Sequence, residues 1–210
     1  MAVAYRKFYD AGQARRYGEK KAAKGGTHLA ECRLAARALA GVPRDQTIVY
    51  VPCGTGRMTF ELVRLGFKPA AADVSPAMVE LARAAFEERG IEIAVEVQDL
   101  EATTWPDRAF DNVFSFRFFH HLPTPELQAQ VARELCRIAA KRVLVSYLDS
   151  RAWTARRRAF ETLLRDRKPG KHTLRPGQMR ALFEEQGFRV VADMARFPFL
   201  HSLRVLVAER

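Results

Sequence analysis

IVYVPCGTGRM, residues 48–58, joins a short apolar run to a glycine turn and then to a helical pattern. Such a run, ended by Pro52-Cys53-Gly54-Thr55-Gly56, reads as a buried parallel strand from Thr47 to Val51 feeding a ligand-binding loop. The glycines let the backbone turn sharply and let a ligand approach main-chain N–H groups with no Cβ in the way. The helix expected from Arg57 to Leu65 brings the partial positive charge of its N-terminus, and Gly66 stops it. An anionic or carboxylate-bearing ligand end fits there.

Working outward, Thr27 is a candidate cap for a helix to about Leu39, with Leu29, Cys32, Ala36 and Leu39 on one face. The segment before it is polar and basic, with Tyr5, Phe8, Tyr9 and Tyr17 among the charges. Residues 1–26 therefore read as an N-terminal arm, a lid over whatever ligand its aromatics, Tyr17 included, can cover. Downstream, Pro69 to Val74 is a strand ending in Asp73. Ser75-Pro76 reads as an N-cap and first helical residue. Met78, Val79, Leu81, Ala82 and Phe86 follow at helical spacing, and Gly90 stops that helix. Ile91 to Val97 alternates like a strand running to Asp99, and Asp111 to Phe116 is the next. Thr124-Pro125 opens a helix to about Ala139, before a strand from Arg142 to Tyr147. A helix from Pro176 to Gln186 is closed by Gly187, and the strands Phe188 to Ala192 and Leu203 to Glu209 end the chain. Alternating strands and helices predict an α/β fold, a Rossmann-like three-layer αβα sandwich. Its sheet has seven mostly parallel strands and a terminal antiparallel hairpin.

The 210 residues, 48% hydrophobic and 28% charged, suit one domain over 27–210 behind the arm. No apolar stretch is long enough to span a bilayer, and MAVAYRKFYD lacks the apolar core of a secretory signal. Cys32, Cys53 and Cys136 are odd in number with no C-x-x-C spacing, which points to a reducing cytoplasm without disulfide framework or zinc site. The net charge of +11 favours an anionic partner: a phosphate-bearing substrate, a nucleic acid or an anionic lipid surface. Much of the excess lies in a basic helical insertion at about 150–175. There an amphipathic helix from about Trp153 to Asp166 would carry Trp153, Phe160, Leu163 and Leu164 as its apolar stripe. It can serve as a solvated cover, as a clamp for an anionic substrate, or as a contact with anionic lipid. Arg156, Arg157 and Arg158 cannot share one helical face, since each step turns about 100°.

In an open parallel sheet, ligands bind beyond the carboxyl ends of the strands. Asp73 and Asp99 end successive strands, and Asp73 stands 17 residues beyond Gly56, where a carboxylate can accept from both hydroxyls of a ribose. His120 and His121 follow the fourth strand and are the candidate acid–base pair, His121 ahead of His120. No third ligand at helical spacing makes them a metal site. A dinucleotide fingerprint fails at Thr59, where its third glycine belongs.

In order, VPCGTGR (51–57), AADVSPAMVELA (71–82), VQDLE (97–101), FDNVFSFRFFHHLP (110–123) and VLVSY (143–147) resemble the class I S-adenosylmethionine-dependent methyltransferases. The PCGTGR and HHLP pair is similar to that of bacterial members. The resemblance implies an enzyme using S-adenosylmethionine and releasing S-adenosylhomocysteine. It implies that Pro52, Cys53, Gly54, Thr55 and Gly56 hold the methionine part, with Asp73 on the ribose. Val74 and Met78 would flank the adenine, Asp99 and Leu100 would bond it, Phe116 would line the cofactor, and Tyr17 would close over it. Two positions depart from the pattern: Tyr50 replaces an acidic residue and Pro52 a glycine. The expected activity is methyl transfer to a small or medium-sized anionic acceptor, a metabolite or lipid-sugar. The alternatives are an RNA methyltransferase, for which no N-P-P-Y-type motif or RNA-binding module is present, and a catalytically silent cofactor-binding protein.

Overall fold

The computed structural model describes residues 12, 13, 16, 25–164 and 171–210. In chain order the elements are α1 (Gly25–Ala38), β1 (Ile48–Tyr50), α2 (Arg57–Arg64), β2 (Pro69–Asp73), α3 (Pro76–Glu87), β3 (Val95–Val97) and β4 (Phe110–Ser115). A 3-10 turn, Phe119–His121, precedes α4 (Pro125–Ile138), β5 (Ala139–Leu148), α5 (Trp153–Leu164), α6 (Pro176–Glu184), β6 (Arg189–Ala195) and β7 (Leu203–Glu209). The sheet has the order β3-β2-β1-β4-β5-β7-β6. Strands β1 to β5 pair in parallel, while β7 runs antiparallel to both β5 and β6. The seven-stranded sheet with its terminal hairpin is thus as the sequence implies.

Strand alternation divides the apolar residues between two cores. Tyr50, Phe114 and Leu144 face the side covered by α1, α2 and α3. Val49, Val113 and Val143 face the side covered by α4 and α6. A strand covered on both faces reads as an unbroken apolar run, which is why IVYV is legible as a central strand.

Four local readings are corrected. Helix α1 already runs at Gly25, so Thr27 lies inside it and does not cap it; the helix buries Cys32, Leu34, Ala35 and Ala38, whereas Leu29 is exposed and Ala36 only half-buried. The strand expected from Ile91 shortens to Val95–Val97. Its register against β2 pairs Val95 with Ala71, so continuing it brings Ile93 opposite Pro69, which has no N–H to donate. Ser75 occupies the N-cap position of α3 but makes no cap bond. Its hydroxyl is buried without a partner among the described residues; the Met78 N–H donates to the Ser75 carbonyl, and the Ser75 N–H to the Asp73 carboxylate.

The fourth correction is α5. Trp153 and Phe160 are 62% and 61% exposed, so they are not its packing face. Ala155 is buried, and Arg158 and Thr162 are half-buried. The helix start is pinned to the β6–β7 connection. The N–H groups of Trp153 and Thr154 donate to the carbonyls of Phe199 and Leu200, and Thr154 Oγ1 accepts from Ser202 N–H at 2.9 Å. That anchor sets the rotation of the helix and leaves the aromatics outward. Tyr5, Phe8, Tyr9 and Tyr17, on which the lid expectation rests, and Arg165, Arg167 and Lys168 lie outside the described residues.

Candidate active site

At the carboxyl ends of β1, β2, β3 and β4 a cavity of about 260 Å³ opens. Register brings these ends together: Tyr50 lies opposite Ala71 and Phe114, and Asp73 opposite Val97. The loop from Pro52 to Thr55, then Asp73, Val74 and Met78, then Asp99, Leu100, Phe116 and His121 all line it. Residues from four separate segments, read from sequence as one ligand site, meet on one surface.

The loop leaves β1 through a cis Val51–Pro52 peptide, and Gly54 and Gly56 both hold positive φ, 54° and 78°. The two glycines serve different ends. A Cβ added at Gly54 meets no atom within 4 Å, so the space beside it is open cavity. A Cβ at Gly56 would stand 2.6 Å from Phe86 Cζ. Gly56 does not line the cavity; it lets the loop press onto the ring of α3. Three of the loop's main-chain N–H groups are also committed: Cys53 N–H donates to the Ala72 carbonyl, Gly56 N–H to that of Cys53, and Gly54 N–H to Asp73 Oδ2 at 2.8 Å. The loop therefore offers a ligand close backbone approach more than a cradle of donors.

Asp73 is the tie between loop and sheet. Its Oδ1 accepts from Ser75 N–H at 3.0 Å while its Oδ2 holds Gly54. Burial pushes its carboxyl above the usual range, against the pull of the Ser75, Gly54 and Val74 N–H groups. Each oxygen keeps a further lone pair, and a ribose diol would supply two donors to them. Asp99 lines the same cavity and accepts from Glu101 N–H at 3.0 Å, which fixes its turn. Burial, followed by the nearby Asp73 charge, holds the Cys53 thiol far above its ordinary value, so it lines the loop as a neutral group.

The two histidines part company. His121 lines the cavity. His120 is 2% exposed and lies outside the lining, under the chain that returns after α5, where its carbonyl accepts from His172 N–H. The rings stay 4.2 Å apart. The 3-10 turn causes this, since it sends adjacent side chains to different sides.

Several wall residues escaped the sequence reading: His28 and Glu31 from α1, Arg57 and Met58, Gln98, Glu101, and Arg117 and Phe118 after β4. Arg117 is non-glycine at φ 64°; its N–H donates to Ser146 Oγ and its Nε lies 3.4 Å from Glu31 Oε1. Those bonds hold a left-handed backbone at the cavity wall, where such strain is commonly found. No sequence signal linked Glu31 to it across 86 positions. Conversely, Tyr147 and Asp149, at the end of β5, are tied up elsewhere: Tyr147 donates to Asp193 at 2.7 Å and Asp149 accepts from Arg151 N–H at 2.9 Å.

Residues 48–142 match a family model described as a methyltransferase domain. Among curated proteins, a ubiquinone biosynthesis O-methyltransferase of Xanthomonas euvesicatoria pv. vesicatoria (strain 85-10) is 32% identical over 80 residues, 37% of this chain and 33% of that protein. One from Methylocella silvestris is 31% identical over 91 residues, 39% of this chain and 36% of that protein. The match thus spans about a third of these relatives' length. Among solved structures, magnesium protoporphyrin IX methyltransferase from Synechocystis PCC 6803 with bound SAH superposes with a TM-score of 0.71 at 19% identity, over 89% of this chain and 84% of that one. The PH0226 protein of Pyrococcus horikoshii superposes at 0.67 with 18% identity, covering 84% and 87%. Residues 48–142, the stretch that matches the methyltransferase-domain model, run from β1 into β5 and carry most of the cavity wall, and the whole sheet shares its fold with these solved structures.

Proposed function

We propose that this chain transfers a methyl group from S-adenosylmethionine to a small or medium-sized anionic acceptor in the cytoplasm. The observation carrying this reading is the convergence of the open Gly54 loop, Asp73 and Asp99 on one cavity. Bound there, the cofactor supplies a methyl group on a sulfonium, already activated for transfer. Asp73 and Asp99 accept hydrogen bonds from its sugar and base, with Val74, Met78 and Leu100 giving apolar cover. Pro52, Cys53, Gly54 and Thr55 leave room for its methionine end, while Gly56 keeps the loop seated on Phe86. Glu31, brought by α1 to the same wall, provides the carboxylate that Tyr50 does not.

His121 stands on the wall where an acceptor enters and takes the acceptor's proton as a general base. Alignment of the acceptor by Phe118, Arg117 and His121 supplies the rest, because fixing the reacting atoms removes entropy from the barrier. His120 supports the turn from below.

The test is a calorimetric titration with S-adenosylmethionine, S-adenosylhomocysteine and NAD. Binding of both sulfur compounds and not NAD is the expected outcome; binding of NAD alone sinks the reading. A screen with labelled cofactor against metabolite, lipid-sugar and RNA pools then assigns the acceptor, and label appearing only in RNA replaces the small-molecule reading.

A further inference from the structure

Beyond the cavity wall at Arg117, positive charge gathers from three elements far apart in sequence. Arg117 follows β4 and lines the cavity. Arg158 lies on the half-buried face of α5, and its Nη1 is buried without a hydrogen-bond partner among the described residues. Arg196 and His201 belong to the β6–β7 connection, and Arg196 Nε is likewise buried without a partner. Of the carboxylates nearby, Glu31 meets the group at its Arg117 end, while Glu161 and Asp149 are committed elsewhere. Glu31 stands 3.4 Å from Arg117, Glu161 3.3 Å from Arg157, and Asp149 pairs with Arg151 and Arg204. Each buried donor left unsatisfied is costly, and more so when it carries charge.

Two of the four groups, His201 and Arg158, register the gathered charge. Burial, then Arg196, Arg117, Arg158 and Lys171, hold His201 below the usual histidine range. Burial, then Arg117 and Arg157, lower Arg158 against the opposing pull of Glu161. The hydrogen bonding of His201 adds a geometric point. Its Nδ1 accepts from Leu203 N–H at 3.1 Å, so the neutral ring carries its proton on Nε2. Arg196 Nη1 lies 3.4 Å from that Nε2. Two donors stand side by side, and one acceptor oxygen bridging them from the cavity side would satisfy both.

Building on the methyl-transfer reading, we infer that Arg117, Arg158, Arg196 and His201 form a subsite for an oxyanion, the carboxylate or phosphate group of the methyl acceptor. Guanidinium groups suit this because their planar donor forks match both anions. Arg117 joins the subsite to the cofactor cavity, so the anion would be held on the side where the acceptor meets His121. Arg156 and Arg157 sit on the same helix but outside the subsite, both exposed.

The experiment uses the full chain and inorganic phosphate as probe, with chloride matched for ionic strength. Thermal denaturation should show stabilisation by phosphate above that of chloride. Arg158→Gln and Arg196→Gln should each weaken phosphate binding roughly tenfold or more, the loss expected for a charged hydrogen bond. Arg156→Gln removes the same charge from the outer face and should leave it within about twofold, as expected of an exposed surface charge. S-adenosylhomocysteine affinity, measured calorimetrically on all four proteins, reports both folding and the cofactor site. Loss of that affinity in the wild type condemns the methyl-transfer reading by itself. Intact cofactor binding with equal, small phosphate losses in all three variants overturns the subsite. Vesicles of phosphatidylglycerol and phosphatidylcholine separate the sources of the anion. Arg158-dependent binding to the former without a response to soluble phosphate supports the subsite with a lipid headgroup as its ligand, and a response to soluble phosphate supports it with a dissolved one.

Discussion

Asp73 and Gly56 show what individual residues contribute here. Asp73 accepts from two backbone N–H groups, so Asp73→Asn forces an amide to present NH₂ toward a donor or to lose one oxygen. The expected result is weaker S-adenosylhomocysteine binding by about 1.5–3 kcal/mol together with a lower Tm, read by calorimetry and thermal denaturation. Unchanged affinity would show that the carboxylate serves only the loop. Gly56→Ala meets two penalties, left-handed backbone and a clash with the buried Phe86 ring. A loss of roughly 1–3 kcal/mol in urea unfolding is expected from overpacking of this kind. His121 and His120 should separate by readout: His121→Gln lowers kcat with cofactor affinity kept, whereas His120→Gln lowers Tm. The two residues look equivalent in FFHHLP; the 3-10 turn makes them different.

At the scale of elements, the caps give a paired comparison. Thr124 Oγ1 accepts from Leu127 N–H at 3.3 Å at the start of α4, and Thr124→Ala should cost about 1 kcal/mol. Ser75 has the same sequence signature, hydroxyl then proline, yet makes no cap bond; the N–H groups of Met78 and Val79 donate to its carbonyl and not to its hydroxyl. Ser75→Ala should therefore be neutral or slightly stabilising in urea unfolding, since it removes a buried hydroxyl without a partner. Equal losses in both variants would refute this. The α5 helix teaches the same lesson about periodicity. Its aromatic spacing is helical, but which face turns inward was set by three bonds to the β6–β7 connection, and those come from residues some 45 positions away.

Across the whole molecule, the net charge of +11 is unevenly placed, and the gathering of cations around His201 has a consequence for stability. Its folded pKa lies below the ordinary value of 6.5, through burial first and then the charges of Arg196, Arg117, Arg158 and Lys171. Between that folded pKa and 6.5 the unfolded chain binds more protons, so stability falls as pH drops through this window and is fully present above it. His201→Gln should flatten the slope of Cm against pH just below 6.5, and saturating phosphate should flatten it too by favouring the charged ring. A slope unaffected by the substitution would remove His201 as its source.

The sequence by itself determined the sheet and the frame of the site. A strand covered on both faces must be apolar throughout, a glycine loop must follow it where backbone and ligand approach, and acids at strand ends must meet at one edge. These are local demands, so IVYVPCGTG, Asp73 and Asp99 were legible without coordinates. Only the tertiary structure decided which partners each residue meets at long range. It placed Glu31 beside Arg117, used three of the loop's N–H groups internally, buried His120 while exposing His121 to the cavity, and turned Arg158 inward while Trp153 faced out. Such outcomes depend on contacts between segments tens of residues apart. Helical or strand periodicity fixes a residue's neighbours along its own element but leaves the choice of opposing surface to packing.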